Sequence, residues 1–210
     1  MKVLVACETS GRVRDEFIRL GHDAVSCDLE PTESPGPHLQ GDVLAHLDRG
    51  WDLMVAHPPC TYLALSGLHW NYRVEGRRAK TDAAIEFVRA LLAAPIERIA
   101  IENPVGAISA KLRRADQLIQ PWQFGEPESK LTGLWLVNLP HLAPTDVLAP
   151  EAFQDNGQPR WRNQTASGQN RLAPSPDRWK IRSRTYAGIA RAMAEQWGCE
   201  RLATYAQRFL

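Results

Sequence analysis

Two short stretches carry groups able to do covalent chemistry on a bound substrate. The run "VAHPPCTYLALSG" (55–67) places Cys60 directly after Pro58 and Pro59, and "IENP" (101–104) places Glu102 ahead of Asn103 and Pro104. Two successive prolines remove two backbone donors and fix φ, so a strand ends there and the thiol stands on a rigid turn. As a thiolate, such a group is a nucleophile. The opposing reading is an inert, packed cysteine. Glu102 closes an apolar run, and a carboxyl partly buried there calls for a donor or a ligand. Three further positions fit ligand binding. Gly11 in "CETSG" allows a tight turn into a helix whose N-terminal amides favour an anion. Asp28 ends a second apolar run, where an acid suits ribose hydroxyls, and Asp42 in "GDV" offers a second acid at a similar edge. Either aspartate could equally be a simple cap.

The elements that must position these groups alternate. "KVLVA", "DAVSCD", "WDLMVA" (51–56) and "ERIAIE" (97–102) read as strands, and "GRVRDEFIRLG" and the stretch around "AKTDAAIEFVRALLAA" read as helices. "TGLWLVNL" reads as a later strand and "TYAGIARAMAEQWG" as a closing helix. Strand–helix alternation of this kind predicts an α/β fold, a mostly parallel sheet covered by helices. In such folds ligands bind at the carboxyl ends of the strands, where Cys60, Glu102, Asp28 and Asp42 all fall. The stretch from Ser66 to Lys80, with Trp70, Arg73, Arg77 and Arg78, reads as a basic loop.

At 210 residues the chain can bury one full core. A net charge of +1 identifies no partner. The four cysteines contain no C-x-x-C pair, which argues against a zinc site or a disulfide framework and for a reducing compartment. No signal-peptide pattern and no apolar run of spanning length is present, so the expected location is cytoplasmic, with no membrane association. Between residues 151 and 184, seven cations stand against three acids, a surplus of four, with Trp161 and Trp179 interleaved. Phosphate contacts plus aromatic stacking need that mixture. A solvated loop with two packing tryptophans is the plainer alternative.

Taken in order, "CETSG … D … GDV … PPC … ENP" resembles the DNA (cytosine-5)-methyltransferase family. Pro59-Cys60 matches that family's nucleophile turn and Glu102-Asn103 its glutamate turn. Ser66-Gly67 falls where its active-site loop begins, and "PESKLT" stands where the family has Gln-x-Arg-x-Arg. The resemblance implies a Rossmann-like S-adenosylmethionine-dependent methyltransferase fold, with a core over 1–140, a compressed target-recognition segment over 141–182, and C-terminal helices over 183–210 returning to the core. It implies Cys60, Glu102 and Lys130 as catalytic residues. Glu8, Thr9, Gly11, Asp28, Asp42, Val43, Pro58 and Thr185 are implied around S-adenosylmethionine. Ser66, Trp70, Arg77, Arg78, Arg160, Arg162 and Arg171 are implied against DNA, expected to be double-stranded, in a bacterial or phage-infected cell. No metal and no obligatory protein partner are implied. The chain departs from the family in keeping one glycine of the Phe-x-Gly-x-Gly loop, and in having Glu128, Lys130 and Thr132 in place of Gln, Arg and Arg. Lysine does not reproduce a guanidinium fork. Two rivals stand beside this reading. "HPPC" partly resembles the motif of exocyclic-amine methyltransferases, and a non-catalytic nucleic-acid-binding module could share the fold. His57 reads as a packed turn residue.

Overall fold

Apolar side chains at successive strand positions point to opposite faces, and both faces of the central strands are buried. The computed structural model describes residues 1–175 and 178–199; the side chain of Trp179 also lies outside what is described. Seven strands form one sheet: β1 (Lys2–Ala6), β2 (Asp23–Asp28), β3 (His38–Gln40), β4 (Leu53–Ala56), β5 (Arg98–Asn103), β6 (Gln117–Ile119) and β7 (Thr132–Val137). Their order is β3-β2-β1-β4-β5-β7-β6. β1 pairs in parallel with β2 and β4, β2 with β3 and β4 with β5, whereas β7 runs antiparallel to β5 and β6. The fold is α/β and Rossmann-like, a mostly parallel sheet flanked by helices.

The period of two sorts the core into two layers. Val3, Val5, Leu53, Val55, Ala100 and Leu134 face α1 (Arg12–Arg19) and, late in the chain, Ile189, Met193 and Trp197 of α6 (Ala187–Trp197). Leu4, Ala6, Met54, Ala56, Ile99, Ile101 and Trp135 face the other way, against Ile85, Val88 and Leu91 of α3 (Arg77–Leu92). The chain reverses its direction of winding between β1 and β4, so the crevice for a ligand opens at their carboxyl ends.

Three expectations change. The stretch from 66 to 80 is not a loop but largely helical: α2 (Leu65–Leu68), a 3-10 turn over His69–Tyr72 and the start of α3 fill it. Gly76 sits at φ 72, the left-handed cap from which α3 starts. β3 and β6, of three residues each, carry too short a pattern to be seen. The segment after Pro140 holds a hairpin, β8 (Ala152–Phe153) and β9 (Pro159–Arg160), and a short helix α5 (Arg178–Ser183). Residues 200–210 of the expected C-terminal region lie outside the described residues. Among the described residues no helix is long and apolar enough to cross a membrane.

Candidate active site

The loop after β1 is built by a buried arginine. Arg14 has no exposed surface, and its guanidinium donates to the Ser34 carbonyl at 3.2 Å, the Pro35 carbonyl at 3.1 Å and the Ser26 hydroxyl at 3.2 Å. It thereby fixes the β2–β3 connection beside the cleft. Gly11 adopts φ 72, and a Cβ there would come within 2.4 Å of Arg14 Nη2, so this position tolerates only glycine. The amides opening α1 already have an anion. The buried Glu8 carboxylate accepts from the Val13 amide at 2.8 Å and from the Ser10 hydroxyl at 3.1 Å. The expectation of an external anion at this helix end is therefore corrected: the helix end is capped from within, and Glu8 meets a ligand as part of the wall, its charge already engaged.

Cys60 stands on the first residue of a 3-10 turn after Pro59 and is exposed, as the proline pair implied. Cys7 and Cys27 differ. Burial, then the nearby Asp28, pushes the Cys7 thiol well above its ordinary range and Cys27 up to about 11. Both stay thiols near neutral pH, whereas Cys60 stands exposed on the wall of a cavity that it shares with Cys7. Asn103 Nδ2 donates to the Pro58 carbonyl at 2.6 Å, which ties the Glu-Asn-Pro turn to the Pro-Pro-Cys turn.

Glu102 has a partner the sequence did not reveal. Its Oε2 lies 2.7 Å from His57 Nδ1, and the Thr185 hydroxyl donates to the same oxygen at 3.2 Å. Both the imidazole and the carboxyl side chain are 9% exposed. Burial opposes ionisation of each. The hydrogen bond and opposite charge outweigh it, holding Glu102 below the usual carboxylate range and His57 above the usual imidazole one. Forty-five residues separate His57 from Glu102, and only the parallel pairing of β4 with β5 brings them together. The visible hint was a histidine and a glutamate each ending an apolar run.

Three cavities lie beside these groups; Glu102 itself lines none of them and stands behind His57 and Thr185. One of 340 Å³ is lined by Cys60, His57, Thr185, Glu8, Thr9 and Ser66. It shares Cys7, Asp28 and Pro59 with a second, of 530 Å³, whose wall includes Asp42, Val43 and Pro58 and the apolar Leu29, Leu44 and Phe87. Asp28 and Asp42 each use one oxygen as a cap, accepting from the Glu30 and Leu44 amides at 3.0 Å. The second oxygen of each has no partner among the described residues. An apolar slot flanked by two such carboxylates fits a nucleoside, whose ring needs apolar walls and whose hydroxyls need acceptors. A third cavity, of 710 Å³, is lined by Lys130, Glu128, Arg12, Arg171, Arg182 and Tyr186 among others. Lys130 Nζ donates to the Arg182 carbonyl at 3.0 Å, and the Tyr186 hydroxyl donates to Glu128 at 2.6 Å.

The structure thus gathers Asp28, Asp42, Val43 and Pro58 around one cavity and Cys60, Glu8, Thr9, Ser66 and Thr185 around its neighbour. Gly11 shapes the loop without lining either. Trp70 and Arg78 lie exposed on the helical stretch beside the cleft. Arg77 is held internally: it donates to the Thr61 carbonyl at 3.1 Å and lies 5.0 Å from the Tyr62 ring centroid, where it anchors α3. Arg160 sits in β9, and Arg162 pairs with Glu151 at 3.0 Å, both apart from the three cavities.

No family model and no curated protein matches the chain. Solved structures do. One is an Escherichia coli prophage protein assigned as a DNA modification methyltransferase, 13% identical, covering 73% of this chain and 56% of its own, with a TM-score of 0.44. Another is the methyltransferase EhMeth of Entamoeba histolytica, 15% identical, covering 70% of this chain and 57% of its own, with a TM-score of 0.46. The chain spans little more than half the length of either.

Proposed function

We propose that this protein transfers a methyl group from S-adenosylmethionine to carbon 5 of cytosine in DNA through a covalent adduct with Cys60. The observation that carries the reading is the meeting, at one sheet edge, of an exposed cysteine and a buried His57–Glu102 pair beside a nucleoside-sized slot. Asp28 and Asp42 would hold the cofactor's ribose side, with Leu29, Val43 and Leu44 against its adenine and Thr9 and Thr185 toward its amino-acid end. When bound there, the cofactor supplies an activated methyl group on a sulfonium.

The chain's own residues do the rest. Cytosine carbon 5 is a poor nucleophile until the Cys60 thiolate adds at carbon 6. Free thiols near neutrality are only a few per cent ionised, with a pKa of about 8.5. As the sulfur–carbon bond forms, the C5=C6 electron pair moves toward C4 and the C4=N3 pair toward N3. A proton held by the His57–Glu102 pair and passed to N3 neutralises the charge that develops there, an interaction stronger in the transition state than in the ground state. After methylation the proton on carbon 5 leaves to water, and the sulfur departs as thiolate. The base must first leave the stack, at a cost of a few kcal/mol. Lys130 and Arg171, lining the 710 Å³ cavity, supply charge for its phosphates.

Incubation with methyl-labelled S-adenosylmethionine and DNA, followed by nucleoside mass spectrometry, tests this. 5-Methyldeoxycytidine is the expected product. Label on an exocyclic amine, or none despite cofactor binding, would overturn the assignment.

A further inference from the structure

His57 belongs to none of the motifs that resemble the cytosine-5 family, yet its ring is joined directly to Glu102. Nδ1 lies 2.7 Å from Glu102 Oε2, so the ring must carry a proton on that nitrogen to donate to a carboxylate. The Thr185 hydroxyl, arriving from the far end of the chain, donates to the same oxygen and sits 3.4 Å from Nδ1. Oε2 is therefore occupied twice, and Oε1 is the carboxyl oxygen left without a partner among the described residues. On the opposite side of the ring, Nε2 is buried with no partner among the described residues, although His57 lines the cavity that holds Cys60. A structural histidine is ordinarily satisfied on both nitrogens.

We infer that His57 is a positioning residue for Glu102 that also stores the proton which the pyrimidine takes up when Cys60 adds to it. This rests on the covalent mechanism above. The step balances. The Cys60 sulfur bonds to carbon 6, electron density arrives at N3, N3 takes a proton through the Glu102 carboxyl, and the imidazolium gives up its Nδ1 proton to become neutral. When the sulfur leaves, the same proton returns. The charged groups facing the imidazole are Glu102 from β5, Glu8 from the β1–α1 loop and Lys130 from the segment before β7. The two carboxylates favour the imidazolium and the ammonium opposes it. The pair outweighs burial, which favours the neutral ring, so the ring holds its proton to higher pH than a free imidazole does.

The test compares the native chain with His57→Asn, whose side-chain amide keeps a donor near the Nδ1 position but does not ionise across the accessible pH range. Release of tritium from 5-tritiated cytosine in DNA is followed against pH in the presence of cofactor. The native rate should show an acid limb from the thiolate requirement and an alkaline limb from His57. His57→Asn should bind cofactor as the native chain does, lose at least about tenfold in rate and lose the alkaline limb. A His57→Asn profile matching the native one in rate and shape would overturn the inference. Failure of the native chain to release tritium would count against the covalent mechanism instead. Independently of turnover or of the variant's folding, ¹⁵N-histidine NMR of the native chain should find the His57 imidazolium persisting above the ordinary imidazole range. A neutral His57 below that range would also overturn the inference.

Discussion

The cleft and the segment after Pro140 are held to the same sheet by different means. At the cleft, buried polar groups from distant stretches satisfy one another: Glu102 with His57 and Thr185, Glu8 with the first turn of α1, Arg14 with the β2–β3 connection. In the later segment an aromatic contact is added to hydrogen bonds. The buried Trp161 stacks on Trp122 with ring centroids 5.3 Å apart and planes 5° from parallel. Around it, Asn163 and Ser129 exchange hydrogen bonds at 2.9 and 3.1 Å, and the Arg162 amide donates to the Pro127 carbonyl at 3.0 Å. Bonds among buried polar groups, as in the cleft, are directional and fix the geometry of their members. The later segment's hairpin has only two-residue strands, and its start is tied down separately: Leu142 is buried and exchanges hydrogen bonds with Gln117, and Ala143 does so with Gln196.

Removing the thiol should break the cleft's chemistry without touching either mode of attachment. Cys60→Ala should reduce turnover below about a hundredth of the native rate while cofactor affinity and melting temperature stay unchanged, since the side chain is exposed. Calorimetric titration beside a turnover assay checks it, and a variant that keeps its activity would remove the nucleophile. Next in size is Trp161→Ala. Loss of a buried tryptophan costs about 3–5 kcal/mol, and the comparison assigns that loss to the segment rather than the sheet. Hydrogen exchange should accelerate across 141–172 and DNA affinity should fall, while amides of β1, β4 and β5 keep their protection. Uniform acceleration would mean the two regions unfold as one.

The His57–Glu102 pair gives a smaller, pH-dependent signature. Glu102 ionises more readily folded than unfolded, so its contribution is present above its unfolded pKa of about 4.3 and is lost as pH falls toward the depressed folded value. His57 binds its proton more tightly when folded. Its contribution is complete below about 6.5 and fades as pH rises through the elevated folded value. Urea midpoints should therefore show the pair's full contribution between those limits, and His57→Asn should flatten the alkaline decline. An alkaline slope that survives the substitution would belong to other groups. The smallest effect belongs to Glu33→Gln. Glu33 pairs with Arg184 at 2.5 Å and accepts from the Thr9 hydroxyl at 3.1 Å, bridging two walls of the cleft. Arg184 is 39% exposed, and pairs so placed contribute less than about 1 kcal/mol. Chemical denaturation should register a shift of that order; several times more would put this contact among the buried networks.

What could be read in advance follows the range of the interactions. The strands β1, β2, β4, β5 and β7 and the helices α1, α3 and α6 announce themselves, because their apolar periodicity is local. Cys60 announces itself because two prolines end its strand from within the same few residues. The sequence placed Asp28 and Asp42 at strand ends, and the sheet order then brought both to one cavity. The partner of Glu102 was not legible. His57 is 45 residues away and Thr185 is 83 residues away, and no local pattern encodes a bond across that separation. The buried Arg14 reads as an ordinary charge on a helix, since only the folded β2–β3 connection shows that its carbonyls converge on the guanidinium. Gly11 looked like part of a ligand-binding turn, and its need for glycine proved to lie in that same arginine. Local patterning thus determined the elements and the turn that carries Cys60. Parallel pairing of distant strands decided which polar groups meet, because buried charges are stable only where tertiary structure supplies their partners.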